Sequence, residues 1–157
     1  MTLEPLLAAP LIVQAHAFSA MAAFVLGVIQ FIAPKGTLPH RAIGVVWVLL
    51  MTTIAATSVF IRRDWSPGDP FWVGFSFIHI FTLITAYGVI SGTLLLLRGG
   101  PALRHHAKPF AGVFFGGIII AGAFAFLPGR IMYDVATGAD TSGEVPVYGR
   151  ETPPTQD

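Results

Sequence analysis

The chain is predicted to be all-α: a four-transmembrane-helix bundle running up-down-up-down, with a disordered C-terminal tail. Three observations carry that prediction. Apolar residues make up 54% of the 157 positions and charged residues only 11%, far from the balance of a soluble domain. The apolar residues collect in four long runs, and short turns dense in proline and glycine separate them.

The first run covers about residues 8–33, enough at roughly 1.5 Å per residue to cross ~30 Å of hydrocarbon. Small residues around Ala15 and Ala17 resemble a cleavage site. However, the stretch from Met1 to Pro5 has no Lys or Arg and carries Glu4, the wrong start for an export signal. The run is therefore read as a retained helix. It ends in Ala33-Pro-Lys-Gly-Thr-Leu-Pro39, where helix breakers force a turn. The second run, about 41–61, stops before Arg63-Asp-Trp-Ser-Pro-Gly-Asp-Pro70, a second breaker-rich turn. The third, about 71–97, ends at Arg98-Gly-Gly-Pro101, and the fourth covers about 107–127. Connections this short favour antiparallel neighbours. Residues 1–130 are thus one transmembrane domain. From 131 to 157 the composition turns to Gly, Thr, Ser, Pro and acidic residues, too polar to build a core, so an extramembrane tail is expected.

Orientation follows from the loops. Lys35, Arg41, Arg98, Arg104 and Lys108 flank the first and third connections, which hold no acidic residue. Glu4, Asp64, Asp69, Asp134, Asp140, Glu144, Glu151 and Asp157 lie on the other side, with Arg62, Arg63, Arg130 and Arg150. The positive-inside rule makes the first and third loops cytoplasmic and puts both termini on the opposite side. Trp65 and Trp72 suit an interfacial aromatic belt.

Composition also excludes chemistries. The chain has no cysteine, hence no disulfide, thiolate-ligated iron or iron–sulfur cluster. No nucleophile–base pair, paired intramembrane carboxylate or phosphate loop argues for a hydrolase or kinase. A formal charge of +1 gives no reason to expect a nucleic-acid partner. Four spans without a repeat or broken helix offer little for a carrier.

The histidines carry the functional signal. His16 and His79 each lie about eight residues into runs entering from the same side, roughly 12 Å below one face. Ionisable residues this deep usually face the bundle interior. Ser19, Ala20, Ala23 and Gly27 continue from His16 on a small-residue face, and Ser76, Thr82 and Ala86 surround His79 at helical spacings. Small residues let helices approach or make room for a flat ligand. Two imidazoles suit the axial positions of haem iron, whereas zinc wants a third or fourth ligand. The plainer alternative is that both rings hydrogen-bond to hydroxyls or to each other. At the opposite face stand His40 and the pair His105/His106, of which helical geometry alone cannot say which points inward; solvation or headgroup contact would also account for them. Gly44, Trp47, Met51 and Ser58 continue from His40 along an inward stripe, and Gly112-Val-Phe-Phe-Gly116 matches a close-packing helix pattern. Gln30 could orient a ligand or, more commonly, bond to a neighbouring helix. Arg62, Arg63 and Arg130 suit propionates or anionic headgroups.

The segments His40-Arg-Ala-Ile-Gly44-Val-Val-Trp47-Val-Leu-Leu-Met51, Ser58-Val-Phe-Ile61, Phe75-Ser-Phe-Ile-His79 and Ala121-Gly-Ala-Phe-Ala-Phe-Leu-Pro128-Gly-Arg130 resemble the signatures of an uncharacterised family of small four-helix bacterial integral membrane proteins. The resemblance spans most of residues 15–130 and includes the Lys35-Gly36 turn. It implies the fold and a bacterial inner membrane, which makes the side of the termini periplasmic, and it singles out His40, His79 and His106. One turn beyond His106, Phe110 stands where that family would carry methionine. It implies no activity. The layout of histidine pairs near two faces is also similar to that of transmembrane diheme b-type cytochromes.

The expectation is therefore a haem-binding membrane protein for transmembrane electron transfer, linked to quinol, in the manner of a membrane oxidoreductase. His16/His79 would ligate one haem b and His40/His106 a second, with Arg62 and Arg130 near propionates. The alternative is a haem-free accessory or assembly subunit of a larger membrane complex, or a homodimer, with the histidines as polar glue.

Overall fold

A computed structural model describes residues 2–61, 68, 70 and 78–138, and among these all regular structure is helical. A short α1 (Glu4–Leu7) precedes α2 (Leu11–Ile32), α3 (Leu38–Ser58) and α4 (His79–Arg98). The fourth rod runs Gly100–Ala125 as a 3₁₀ turn (Gly100–His105), α5 (Ala107–Gly112), a π-helical segment (Val113–Ile120) and α6 (Ala121–Ala125). A final helix, α7, covers Ile131–Thr137. All four rods are long and apolar enough to cross a membrane. Trp65, Trp72, Ser76, Arg62 and Arg63 lie outside the described residues, as does the tail from 139.

Local chemistry sets the boundaries. Pro10 separates α1 from α2, and Gln14 Nε2 donates to the Leu7 and Ala9 carbonyls at 3.0 and 2.7 Å, satisfying groups the break leaves open. Lys35 Nζ reaches back to the Phe31 carbonyl at 2.7 Å, as a cation at a helix C-terminus should. Thr37 caps α3, its hydroxyl accepting from His40 N at 3.3 Å, and Pro39 occupies the first turn, where its missing N–H costs nothing. The helix thus starts three residues before the apolar run suggested. Between α4 and the fourth rod, Gly99 and Gly100 both have positive φ, 63° and 53°. Two consecutive left-handed residues demand glycine, and they reverse the chain within one turn.

The rods pack in cyclic order. α2 lies on α3, α3 on α4, α4 on the fourth rod, and the π segment closes back onto α2, which leaves α2 and α4 at opposite corners. The core comprises Ala23, Trp47, Met51, Ile54, Val89, Val113, Phe114 and Ile118. Trp47 Nε1 donates to the Ala23 carbonyl at 2.9 Å, so the largest core side chain has its one polar atom satisfied. The stripe Gly44, Trp47, Met51, Ser58 does turn inward, with Met51 wholly buried. Outside, the apolar residues stay exposed, Leu11 at 82% and Leu38 at 80%. Such a surface would drive association in water and suits contact with lipid.

Glycines mark the close contacts, but not where the Gly112/Gly116 pattern predicts. A methyl at Gly112 would meet nothing within 4 Å, and at Gly116 only Ile84 Cγ2 at 3.7 Å. The tight pair is Gly88 and Gly92 on α4, which receives Val113 and Phe110. On the other side of the π segment Phe114 lies against Gly27 of α2, with Phe24 and Phe31 at 6.1 and 5.1 Å between ring centroids. Consecutive residues Val113 and Phe114 thus pack against different rods, α4 and α2.

At the end of the bundle opposite the first and third connections, α1 packs on α7 and Thr2 N donates to the Val135 carbonyl at 3.2 Å. Residues 131–137, expected as the start of the tail, are thereby helical. Ile131, Met132, Tyr133 and Val135 supply an apolar face, and Asp134 is 5% exposed.

Candidate functional site

A cavity of about 770 Å³ occupies the terminal-side half of the bundle. That volume is within the roughly 300–1,000 Å³ of small-molecule and cofactor sites. It exists because the chain places small residues on its walls: Ala17 and Ala20 from α2, Ala55 from α3, and Gly117, Ala121 and Gly122 from the fourth rod. A methyl built on Gly122 would meet nothing within 4 Å. Phe24, Thr85 and Ile118 line it toward the core, while Leu6 of α1 and Arg130, Ile131 and Met132 at the start of α7 line the terminal end.

Both deep histidines line this cavity. His16 is the sixth residue of α2, and His79 opens the described part of α4, so rings from opposite corners border one space. His16 Nδ1 lies 3.0 Å from the Thr57 hydroxyl of α3. Beside them, Ser58 Oγ and Thr82 Oγ1 pair at 3.0 Å between α3 and α4. Among the described residues, imidazoles, hydroxyls and the Arg130 guanidinium are thus the polar side chains of an otherwise apolar chamber. An imidazole bonded to protein through one nitrogen can still offer the other to a metal.

The loop-side histidines occupy a different setting. His106 is half-buried and His105 exposed, so His106 is the inward ring of the pair. His106 Nδ1 donates to the Leu103 carbonyl, and its ring lies 6.1 Å from Phe110. His40 has His106 and Lys35 as its ionisable neighbours. Gln30 bonds to a neighbouring helix, Nε2 donating to the His40 carbonyl at 2.7 Å. Gln30 Oε1, His40 Nδ1 and Thr93 Oγ1 are buried atoms without a hydrogen-bond partner. Toward the midplane the space is taken by rings: Phe110 stands edge-on to Trp47 at 5.7 Å and presses on Gly92, and Phe114 presses on Gly27. Among the described residues no group of three or more His, Asp or Glu gathers as for a metal ion.

The structure therefore brings together His16, His79 and Arg130 and sets His40 and His106 apart from them, while Arg62 lies outside the described residues. Sequence reasoning missed Thr57, the α1–α7 roof and Gly88/Gly92. Only the last left a readable signal, a second small-xxx-small spacing. Comparison with protein families, with characterised proteins and with solved structures returned no match.

Proposed function

We propose that the chain binds one haem b in the terminal-side cavity and passes electrons within the membrane. The observation that supports this most is that His16 and His79, from diagonal rods, border one chamber of cofactor size with Arg130 at its terminal end. Haem supplies one-electron redox chemistry when bound. The protein would supply the rest: the imidazoles of His16 and His79 would hold the group, the Arg130 guanidinium would meet its carboxylate side groups, and the apolar walls would keep water out. The ring-filled layer beneath His40 and His106 favours one group over two. A quinol dissolved in the bilayer is the electron donor in this reading. The loop side, rich in Lys and Arg, faces the cytoplasm of a bacterial inner membrane, and the resemblance to the small four-helix bacterial family stands as part of the same proposal.

A second reading, a haem-free accessory subunit of a larger complex, is favoured by the His16–Thr57 bond, which joins α2 to α3 without any third group. An absorption spectrum of protein purified in mild detergent with haem supplied separates the two. Haem binding predicts a Soret band that shifts on reduction and disappears in both His16→Ala and His79→Ala. A folded, colourless wild type would sink the haem reading and leave the subunit.

A further inference from the structure

We infer that Thr57 is a positioning residue, whose hydroxyl fixes the tautomer of His16 and leaves Nε2 as the nitrogen that carries the lone pair. The inference rests on the haem reading for its ligand and on hydrogen-bond geometry alone for the tautomer. A threonine hydroxyl has one proton. That of Thr57 is directed at backbone carbonyls of its own helix, with Thr53 O at 2.7 Å and Ile54 O at 3.1 Å, and carbonyl oxygens only accept. The third contact of Thr57 Oγ1, 3.0 Å to His16 Nδ1, is therefore one in which the hydroxyl accepts and the ring donates. Nδ1 carries the hydrogen, so Nε2 of the neutral ring is unprotonated.

This is the arrangement a metal-ligating histidine needs. A partner on the distal nitrogen fixes ring orientation and raises the basicity of the other. Here the partner is held in turn by the backbone of α3, so the chain Thr53 O, Thr57 hydroxyl, His16 ring is oriented in one direction. Thr52 and Thr53 make the same carbonyl bond one turn back on their own helix, at 2.8 and 3.0 Å, but are exposed. Thr57 differs in what stands against it.

Two measurements test this. Nitrogen-15 NMR of histidine-labelled, haem-free protein in lipid nanodiscs should show His16 as the Nδ1–H tautomer in wild type and in Thr57→Ser, with that preference lost in Thr57→Val, a near-isosteric change that keeps the helix. In haem-loaded protein, Thr57→Val should lower haem retention by roughly 10–100-fold and raise the reduction potential, and Thr57→Ser should restore both. An Nε2–H tautomer in wild type overturns the inference, as does a Thr57→Val protein with unchanged retention and potential; in the latter case the haem reading survives. A colourless wild type that still shows Nδ1–H overturns the haem reading and leaves the tautomer assignment standing.

Discussion

Two glycine-to-alanine changes separate the packing seen in the structure from the packing that motif spacing alone suggests. At Gly88 the added methyl would overlap Val113 Cγ2 and lie 3.2 Å from the Pro109 carbonyl. Val113 is 1% exposed and β-branched, with its χ1 restricted in a helix, and Pro109 O is backbone. Neither gives way cheaply, so α4 and the fourth rod must separate. At Gly112 the methyl meets nothing within 4 Å. Both changes gain the helix propensity that glycine lacks, about 0.5–1 kcal/mol, so that contribution cancels in the comparison. What remains is overpacking at Gly88, about 1–3 kcal/mol, a tenfold or greater difference in the folded-to-unfolded ratio at the middle of that range. Titration of both variants with sodium dodecyl sulfate in mixed micelles, followed by circular dichroism, reads it directly. Gly88→Ala should unfold at a lower denaturant fraction than wild type and Gly112→Ala at an equal or higher one. Equal midpoints, or a less stable Gly112→Ala, would refute the assignment of the close contact.

Gly122→Leu should leave detergent stability within about 0.5 kcal/mol of wild type yet cut haem retention at least tenfold, because its side chain enters open cavity space; unaltered retention measured by spectral titration would contradict the site. Trp47→Phe removes the 2.9 Å bond to the Ala23 carbonyl and should destabilise the bundle by about 0.5–1.5 kcal/mol, checked in the same micelle titration. His40→Ala should keep the Soret band and its reduced-state shift, since Phe110 and Trp47 occupy the space beneath that ring; loss of the band with the fold intact would argue for a loop-side haem after all.

Much of the fold was legible because lipid imposes a simple demand. Every backbone group in a span must find its partner inside the helix, so long apolar runs punctuated by proline and glycine report the rods almost directly. Ends were less legible: α3 begins at Leu38 because Thr37 caps it, a hydrogen-bonding cause that hydropathy does not register. Packing faces were the hardest. Gly112/Gly116 and Gly88/Gly92 show the same spacing, and the first pair is not the tight contact because the π segment starting at Val113 alters the phase of the rod. In the candidate site, His16 and His79 announced themselves by depth. Thr57 did not, since it stands 41 residues from its ring and threonine bonding to its own helix is routine in such segments. The α7 helix escaped notice because a four-residue apolar face is lost in a window dominated by the polar residues that follow.

The π segment also makes the fourth rod tolerant of a change in length. A turn closed from i to i+5 accommodates more residues than an α turn, so Val113–Ile120 stores surplus chain. Deleting one residue there would let the stretch rewind as ordinary α-helix and leave Ala121, Gly122 and, beyond them, Arg130 facing the chamber they line. The same deletion in an α-helical part of the rod has no slack to draw on and would turn everything beyond it by about 100° around the axis. A single codon lost in this stretch would thus be absorbed as slack in a rope is, with the interior still aligned.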